Sequence, residues 1–240
     1  MTKIVVVVPT YNESGNISSL LDSLLALPFD KDILIIDDNS PDGTAKIVTH
    51  FMQDFKNVHL ISRSRKLGLG SAYIEGFRFA IKNGFEHCLT MDADFSHDPK
   101  FIPDLLAKKY EFDIVIGSRY VKGGVIKNWG LRRKLTSFIA NTLARLILGV
   151  KCQDFTGAFR LYSVRIFITH PGILNINSDG YSSLLELLYK CSKKGCTVGE
   201  APIVFSDRRA GVSKISRKEI LKAIHTIMSI GAERYFGKNG

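Results

Sequence analysis

The chain lacks the features that mark membrane-spanning, secreted and metal–thiolate proteins. Its longest apolar stretch, residues 135–150, is interrupted by Arg145, so no uncharged run reaches the roughly 20 residues that cross a bilayer. The apolar run at residues 4–8 is too short for a signal peptide and leads straight into Pro9. None of the four cysteines stands in a metal-ligand spacing. We therefore expect reduced thiols in a reducing compartment.

The chain also has fewer acidic than basic residues. It has 33 Lys and Arg residues against 23 Asp and Glu residues, a formal net charge of +10 over 240 residues. This balance indicates an anionic partner: nucleic acid, an anionic membrane surface or a phosphate-rich substrate. With 45% hydrophobic and 23% charged residues, and no internal repeat or long linker, the composition predicts a single folded domain over residues 1–240.

Apolar runs alternate with helical patterns along the first half. Strands are predicted at residues 4–8, 33–36, 58–61, 87–91 and 113–117, and helices at residues 16–27, 44–54, 71–83 and 100–108. This alternation predicts βαβ units and a mainly parallel α/β sheet flanked by helices. Further on, the patterns predict helices at residues 131–148, 182–193 and 217–235 and a strand at 198–205. The last helix is predicted to be amphipathic, and either core packing or docking on a membrane or partner would explain it.

Two carboxylates follow the fourth predicted strand. Asp92 and Asp94 are one residue apart, so extended backbone would place both on the same side. Two like charges this close are costly without a cation between them. Mg²⁺ or Mn²⁺, held by oxygen ligands together with a phosphate, is the usual solution. The alternative is a solvated acidic turn.

Polar residues follow other predicted strands as well, and open parallel sheets bind ligands at these strand ends. The requirement that strand ends turn explains one or two polar clusters but poorly explains four together. A further basic cluster, residues 132–134, opens a predicted helix, where a bound phosphate or a solvated basic face would account for it. The strand-end residues are Tyr11 and Glu13, Asp37 and Asp38, Asp92 and Asp94, and Ser118 and Arg119.

Seven segments resemble a known family. VPTYNE (8–13), DDNSPDGT (37–44), DADFSH (92–97) and GSRY (117–120) resemble family 2 inverting glycosyltransferases of the GT-A fold. WGLRRKLTS (129–137), DFTGAFR (154–160) and DRRAGVSK (207–214) are similar to polyprenol-phosphate sugar synthases, above all dolichol-phosphate mannose synthases. The resemblance covers nearly the whole chain, in order.

The resemblance implies one GT-A catalytic domain: a nucleotide-sugar half (1–120), an acceptor half (121–215) and a C-terminal amphipathic helix (216–240). It implies metal-dependent, inverting transfer of mannose from GDP-mannose to dolichyl or polyprenyl phosphate, giving a β-linked lipid-phosphate sugar. The chain stops at Gly240 and so resembles the short type, which reaches the membrane through its own surface or a separate membrane-anchor subunit. A peripheral position on the cytoplasmic face of a membrane is therefore expected.

The resemblance also implies residue roles. Mg²⁺ or Mn²⁺ would be held by Asp92, Asp94 and Ser96, although relatives often have glutamine at the third position. The nucleotide sugar would be bound by Pro9, Tyr11, Glu13, Asp37, Asp38, Asp92, Arg208 and Lys214, with the Tyr11 ring stacked on the base. The acceptor phosphate would be bound by Arg119, Arg133 and Ser137. The catalytic residues would be Asp94, Arg119 and Arg133.

Three other interpretations remain at this point. A UDP-glucose-type donor would keep the mechanism and change the sugar. A sugar-1-phosphate nucleotidyltransferase would need a glycine-rich basic loop directly after the first strand, where residues 9–13 read PTYNE. A nucleic-acid-binding module would interleave cations with exposed aromatic residues on one face, whereas these cations cluster beside strand-end loops. We therefore expect no nucleic-acid partner.

Overall fold

A seven-stranded sheet lies at the centre of the protein in a computed structural model, which describes residues 3–180, 182–207 and 217–236. The sheet strands are β1 (Ile4–Thr10), β2 (Asp32–Asp37), β3 (Val58–Ser62), β4 (His87–Thr90), β5 (Ile114–Ser118), β7 (Arg160–Ser163) and β8 (Val198–Pro202). Their order is β3-β2-β1-β4-β7-β5-β8. Two short strands, β6 (Val125–Ile126) and β9 (Val204–Phe205), pair in parallel beside it.

The sheet is mainly parallel, as predicted, with one exception. The sequence did not predict β7, which runs antiparallel between β4 and β5. Its first residue, Arg160, is fully buried, so the strand has no continuous apolar run to identify it. The prediction of a single strand at 198–205 is wrong, because this segment forms two strands. The first, β8, pairs with β5 as far as Pro202, and the second, β9, pairs with β6.

Eight helices connect these strands in the described residues. The predicted helix bounds 44–54, 131–148 and 182–193 are confirmed. The helix predicted at 100–108 is instead a 3-10 turn (Pro99–Phe101) followed by a short α-helix. A second 3-10 turn covers Pro171–Leu174. The helices are α1 (Ile17–Leu25), α2 (Thr44–Asp54), α3 (Leu69–Lys82), α4 (Ile102–Leu106), α5 (Leu131–Leu148), α6 (Arg165–Thr169), α7 (Ser182–Lys193) and α8 (Arg217–Phe236).

Both faces of the sheet are covered by helices. Strand β1 alternates accordingly, with Val5 and Val7 in one core and Val6 and Val8 in the other. The first core is completed by α3, α6 and α7 together with buried residues of α5 and α8, and the second by α1, α2 and α4. Burial on both faces leaves the strand ends as the places where polar groups can meet a ligand.

Helix α8 packs on the first core and also exposes apolar side chains. Ile227 and Ile230 are buried, whereas Ile224 and Met228 are 44% and 58% exposed. Core packing therefore accounts for only part of its apolar surface. Among the described residues, no helix is both long and apolar enough to span a bilayer.

Candidate active site

The candidate site lies at the carboxyl ends of the parallel strands. The chain places β2 and β3 on one side of β1 and β4 on the other, so the direction of strand addition reverses between β1 and β4. A crevice forms at such a reversal. Tyr11 and Glu13 follow β1 there, and Asp92 and Asp94 follow β4.

The loops after β1 and β2 are joined by a row of hydrogen bonds. The backbone N–H groups of residues 12–14 donate in turn to Ser40 Oγ (3.0 Å), Thr44 Oγ1 (3.0 Å) and Asp42 Oδ2 (2.9 Å). Partial desolvation acts to raise the pKa of Asp42, but hydrogen bonds from Thr44 and from the Ser14 backbone outweigh it and lower the pKa to about 2. The motif at residues 37–44 thus fixes the loop after β1.

Asp37 is buried and bonded within the protein. Thr10 Oγ1 donates to its Oδ1 at 2.9 Å, the Ser40 N–H donates to Oδ2 at 2.9 Å, and Ser40 Oγ lies 2.6 Å from Oδ1. Only 1% of the residue is exposed. These contacts give Asp37 a loop-organising role, and direct nucleotide binding by it stays a prediction.

Asp38 organises the basic loop that leads into α3. Its Oδ1 lies 2.5 Å from Arg63 Nη2, and it accepts N–H bonds from residues 67 and 68 at 3.2 and 2.9 Å. Arg63 Nη1 in turn donates to Ser71 Oγ at 2.7 Å. Since Asp38 is 5% exposed, its charge is largely matched by Arg63.

The residues of β1 and of the loop after it that are assigned to the nucleotide lie at the crevice. Lys66 Nζ lies 3.7 Å from the centroid of the Tyr11 ring, a cation–π contact that covers one ring face. A base that stacks on Tyr11 must therefore displace Lys66 or use the opposite face. Glu13 is 8% exposed and accepts from Asn16 Nδ2 at 2.8 Å. Pro9 lies within β1 and is partly buried.

The loop after β4 holds its carboxylates in a strained backbone. Phe95, between Asp94 and Ser96, has φ +61°, a left-handed conformation that is unfavourable for an aromatic residue. The Ser96 N–H donates to Asp94 Oδ1 at 3.0 Å, and Tyr73 Oη lies 3.3 Å from Asp92 Oδ1. Asp94 and Ser96 are 5% and 4% exposed. Such strain persists where surrounding contacts enforce it, and it is typical of functional sites.

His97 holds this loop through a hydrogen bond to its backbone, a role that was not predicted from the sequence. Its Nδ1 accepts the Asp92 N–H at 3.1 Å, and its ring stacks on Phe159 at 5.2 Å between centroids. Burial lowers the pKa of His97 and outweighs the opposing pull of Asp92 and Asp94. The ring is therefore neutral, and its approach of 3.8 Å to the Asp92 carboxylate is not an ion pair.

The oxygen donors of this loop fit a divalent cation bound together with substrate. Asp92, Asp94 and Ser96 offer hard oxygen ligands, whereas His97 Nδ1 is already used by the backbone. No cluster of three His, Cys, Asp or Glu side chains that could hold a metal occurs among the described residues. Mg²⁺ is commonly held by one or two carboxylates plus substrate phosphates, and this donor set matches that arrangement.

Arg119, after β5, forms a buried ion pair with Asp154. Its Nε and Nη2 lie 2.7 and 2.6 Å from the two carboxylate oxygens, and its backbone N–H donates to Asp154 Oδ2 at 3.0 Å. Nη2 also reaches Thr156 Oγ1 at 2.6 Å, while Nη1 makes no hydrogen bond within the described residues. Burial opposes ionisation of both groups, but their attraction raises the pKa of Arg119 and lowers that of Asp154. Nη1 is thus the atom that Arg119 can offer to a ligand.

Trp129 brings the two predicted acceptor arginines together. The guanidinium carbon of Arg133 lies 3.9 Å from its ring centroid, and that of Arg119 lies 5.6 Å away. Arg133 Nη1 also contacts Asp207 Oδ1 at 3.1 Å in a pair that is about one-third exposed. The Trp129 indole N–H is buried and has no hydrogen-bond partner among the described residues. Trp129 is the only tryptophan of the chain, and no role was predicted for it from the sequence.

A cavity of about 510 Å³ includes Arg119 in its lining. Arg119 and Lys134 supply positive charge to its lining. Tyr120, also in the lining, donates from its hydroxyl to Ser137 Oγ at 2.8 Å. The remaining wall is largely apolar and includes Val125, Ile126, Leu131, Leu135 and Phe138. The cavity lining therefore combines two cationic side chains with an apolar wall.

The structure thus gathers Asp92, Asp94 and Ser96 in one loop, and Arg119, Arg133 and Ser137 around Trp129 and Tyr120. Arg208 and Lys214, also assigned to the nucleotide sugar, lie outside the described residues. The roles of all these side chains stay predictions.

Residues 5–170 match the protein family described as Glycosyl transferase family 2. The chain belongs to glycosyl transferase family 2. Family membership makes it a glycosyltransferase and confirms the resemblance drawn from the motifs. The nucleotidyltransferase and nucleic-acid-binding interpretations have no such support.

Two family relatives match almost the whole chain. A polyprenol monophosphomannose synthase of Mycolicibacterium smegmatis is 37% identical over 228 residues, covering 94% of this chain and 86% of that protein. An undecaprenyl-phosphate mannosyltransferase of Micrococcus luteus is 34% identical over 236 residues, covering 98% of this chain and 97% of that protein.

The fold is shared with more distant glycosyltransferases of known structure. Glucosyl-3-phosphoglycerate synthase of Mycobacterium tuberculosis, crystallised with Mn²⁺, UDP and phosphoglyceric acid, superposes with a TM-score of 0.68 at 18% identity. The match covers 96% of this chain and 78% of that one. The predicted GT-A fold is thereby confirmed for this family member.

Proposed function

We propose that this glycosyltransferase moves mannose from GDP-mannose to a polyprenyl phosphate, giving a β-linked lipid-phosphate mannose. The relatives named polyprenol monophosphomannose synthase and undecaprenyl-phosphate mannosyltransferase support both the sugar and the acceptor class. The observation that carries the acceptor is the 510 Å³ cavity, in which Arg119 and Lys134 adjoin an apolar wall. An amphiphile with an anionic head and a hydrocarbon body fits such a lining.

The acceptor needs positioning more than activation. A phosphate monoester has a second pKa of about 6, so its oxygen is already a nucleophile near neutral pH. Arg119 Nη1 and the Arg133 fork would hold that phosphate by charge-assisted hydrogen bonds. Attack of its oxygen on the anomeric carbon forms the new glycosidic bond as the bond to the nucleoside diphosphate breaks. Attack from the opposite face inverts the configuration, and no general base is required.

Asp92, Asp94 and Ser96 would hold Mg²⁺ or Mn²⁺ beside the donor diphosphate. When bound, the ion neutralises negative charge that develops on the leaving group. Pro9, Tyr11, Glu13 and one or both of Asp37 and Asp38 would bind the nucleoside. Lys66 adds a positive charge beside Tyr11, at the position where a base or diphosphate would approach.

An exposed apolar stripe supports contact with a membrane. It consists of Leu131, Leu135, Phe138, Ile139 and Leu146 on α5 and Ile224 and Met228 on α8, which are 44–81% exposed. We call this surface the α5–α8 stripe. Spacings of three and four residues place its α5 members on one helix face beside the cavity. A peripheral position on the cytoplasmic face of a membrane, directly or through a membrane-anchor subunit, is consistent with a lipid acceptor.

The test is transfer of labelled sugar into an organic-extractable lipid. Purified protein is incubated with a short polyprenyl phosphate and Mg²⁺ or Mn²⁺, with GDP-mannose and UDP-glucose in parallel. We expect metal-dependent lipid label from GDP-mannose and none from UDP-glucose. Label only from UDP-glucose would overturn the donor, and label in a water-soluble product would overturn the acceptor.

Replacing Arg133 should impair acceptor use selectively. Arg133→Ala removes the guanidinium that lies over Trp129 and is assigned to the acceptor phosphate. We expect the KM for polyprenyl phosphate to rise at least tenfold, about 1.4 kcal/mol, while the Kd for nucleotide changes less than twofold. Steady-state kinetics and calorimetric nucleotide titration measure the two.

Arg132→Ala is the matched control, since Arg132 precedes Arg133 on α5 and is exposed. It should leave both constants within twofold of the wild type. Equal losses of acceptor and nucleotide binding in Arg133→Ala would contradict a separate acceptor-phosphate site.

A further inference from the structure

Two of the four free cysteines meet where α7 ends. Cys191 lies in the last turn of α7, and Cys196 lies in the turn that follows, two positions before β8 begins at Val198. The Cys196 N–H donates to the Cys191 carbonyl at 3.1 Å, and the Gly195 N–H donates to the Ser192 carbonyl at 3.0 Å. Gly195 has φ +80°, the left-handed conformation that commonly ends a helix. The two bonds and this conformation define a Schellman motif.

The motif places the two cysteine side chains against each other. The residues that its longer hydrogen bond joins commonly make an apolar side-chain contact. Here both are cysteines, and their thiols are hydrogen-bonded to each other. Cys191 is fully buried in the first core, and Cys196 packs against the same core while partly buried. Any small apolar residues would satisfy this packing, so the paired thiols add a reactivity that the fold does not require.

Cys196 is also held from its other side. The N–H and the hydroxyl of Thr197 both lie 2.9 Å from Asp113 Oδ2, just before β5. The Thr197 carbonyl accepts the Ile114 N–H at 3.0 Å. Cysteines can be bridged without strain only where the backbone already brings their side chains together. The end of α7 and the start of β5 together provide that arrangement.

The two thiols differ in reactivity. Their shared hydrogen bond lowers the pKa of Cys196 despite partial burial, whereas the same bond and full burial raise the pKa of Cys191 well above its ordinary value. Two charged groups also act on Cys196 with opposite signs, Asp113 and Arg165, and they lie 3.3 Å apart as an ion pair. Because the thiolate is the nucleophile, Cys196 is the thiol that reacts first with a reagent from solvent.

The other two cysteines are internal controls. Cys88 lies in β4 and Cys152 follows α5, and they are 0% and 2% exposed. Burial raises the pKa of both thiols. Buried cysteines in apolar surroundings are chemically inert, so neither should compete with Cys196 for a reagent while the protein is folded.

We propose that Cys191 and Cys196 form a dithiol that a hydroperoxide converts to an intramolecular disulfide. The Cys196 thiolate attacks one peroxide oxygen, the O–O bond breaks, and the second oxygen leaves and takes up a proton, which gives a sulfenic acid on Cys196. The Cys191 sulfur then attacks the Cys196 sulfur, so the S–S bond forms as the S–O bond breaks, and hydroxide leaves with the Cys191 proton as water. The two thiols lose two electrons, and the peroxide gains them. A thiol reductant restores the dithiol by exchange.

The dithiol lies at the edge of the sheet opposite the candidate active site. Val198 pairs with Ile114 at the start of β5, whereas Arg119 follows the other end of that strand. The oxidation can therefore be measured without donor, metal or acceptor. A failure of the sugar-transfer assay would leave the proposal unaffected, and a failure to form the disulfide would leave the proposed transfer unaffected.

The first test is oxidation of the folded full chain with hydrogen peroxide, followed by mass spectrometry. We expect the mass to fall by two hydrogen atoms, and alkylation after denaturation to find only Cys88 and Cys152 free. Trypsin cleaves after Lys193 and Lys194, between the two cysteines, so the disulfide should join two otherwise separate peptides until a thiol reductant is added. A disulfide between two chains, or equal oxidation of all four cysteines, would overturn the proposal.

Two single variants assign the order of the steps, with the Tm of each confirming that it is folded. Cys191→Ala leaves the sulfenic acid on Cys196 without a thiol to resolve it, so labelling of Cys196 by dimedone should rise at least about tenfold over the wild type. Cys196→Ser should form no disulfide, and its Cys191 should be labelled no more than Cys88. Sulfenic acid on Cys191 in Cys196→Ser, at the level expected for Cys196, would overturn the assignment of the attacking thiol.

A rate measurement on the reduced wild type needs no variant. Iodoacetamide should alkylate Cys196 at least about a hundredfold faster than Cys88 or Cys152, since reaction at the buried thiols requires the protein to open. Prior oxidation with peroxide should abolish the fast reaction, and a thiol reductant should restore it. Equal alkylation rates at Cys196 and Cys88 would overturn the proposal.

Discussion

Asp94→Asn should reduce transfer about a thousandfold while the protein stays folded. The change removes one negative charge from the proposed metal ligands, and a loss of this size corresponds to about 4 kcal/mol in the transition state. The asparagine side-chain oxygen can still accept the Ser96 N–H that Asp94 accepts at 3.0 Å, so the strained loop keeps its bond. Initial rates of lipid labelling and the Tm together measure the two effects.

Asp98→Asn is the control for this change, because Asp98 lies in the same loop but caps the next turn through the Lys100 N–H at 3.1 Å. Asparagine is an equally good cap, so activity and Tm should both stay near wild type. Turnover by Asp94→Asn at the wild-type rate, at saturating Mg²⁺ or Mn²⁺, would remove Asp94 from the metal site.

The sequence predicted the first half of the fold well, because local patterns determine it there. Strands β1 to β5 are apolar runs bounded by turn residues, and the helices between them show clear periodicity. Strand β7 was not predicted, because contacts outside the strand stabilise it. Its buried Arg160 donates to the carbonyls of Gly157, Phe155 and Leu184. No local pattern marks a strand whose first side chain is a buried cation.

The site was predictable in its residue types and less so in its contacts. Asp37, Asp38 and Arg119 stand out in the sequence as polar groups at strand ends, and the structure places them there. Their bonds to Thr10, Arg63 and Asp154 depend on how the loops fold together, which residue spacing does not encode. The partner of Arg119 is 35 residues away, and only the tertiary structure reveals it.

Replacing Asp154, the partner of Arg119, should have a large effect on stability. Asp154→Asn should lower the free energy of unfolding by about 3–5 kcal/mol, because it leaves the buried Arg119 guanidinium without its counter-ion. Asp154 is fully buried and Arg119 is 7% exposed, so solvent cannot replace the lost charge. For a chain of this size we expect a Tm lower by roughly 10 °C, measured by calorimetry. In the variant that remains folded, the KM for acceptor should rise more than the nucleotide Kd.

Two comparisons isolate the ion pair from simple packing loss. Arg119→Met combined with Asp154→Asn removes both charges, so the double variant should be less destabilised than the sum of the two single variants.

The second comparison is acid unfolding. Arg119 holds the pKa of Asp154 below its ordinary value despite burial, so this carboxylate stabilises the fold fully above about pH 4. That stabilisation disappears as the pH falls through the lowered pKa, and the stability of Asp154→Asn should therefore depend less on pH below about pH 4. Additive single-variant losses with an unchanged acid profile would show that the Asp154–Arg119 pair is not what orients Arg119.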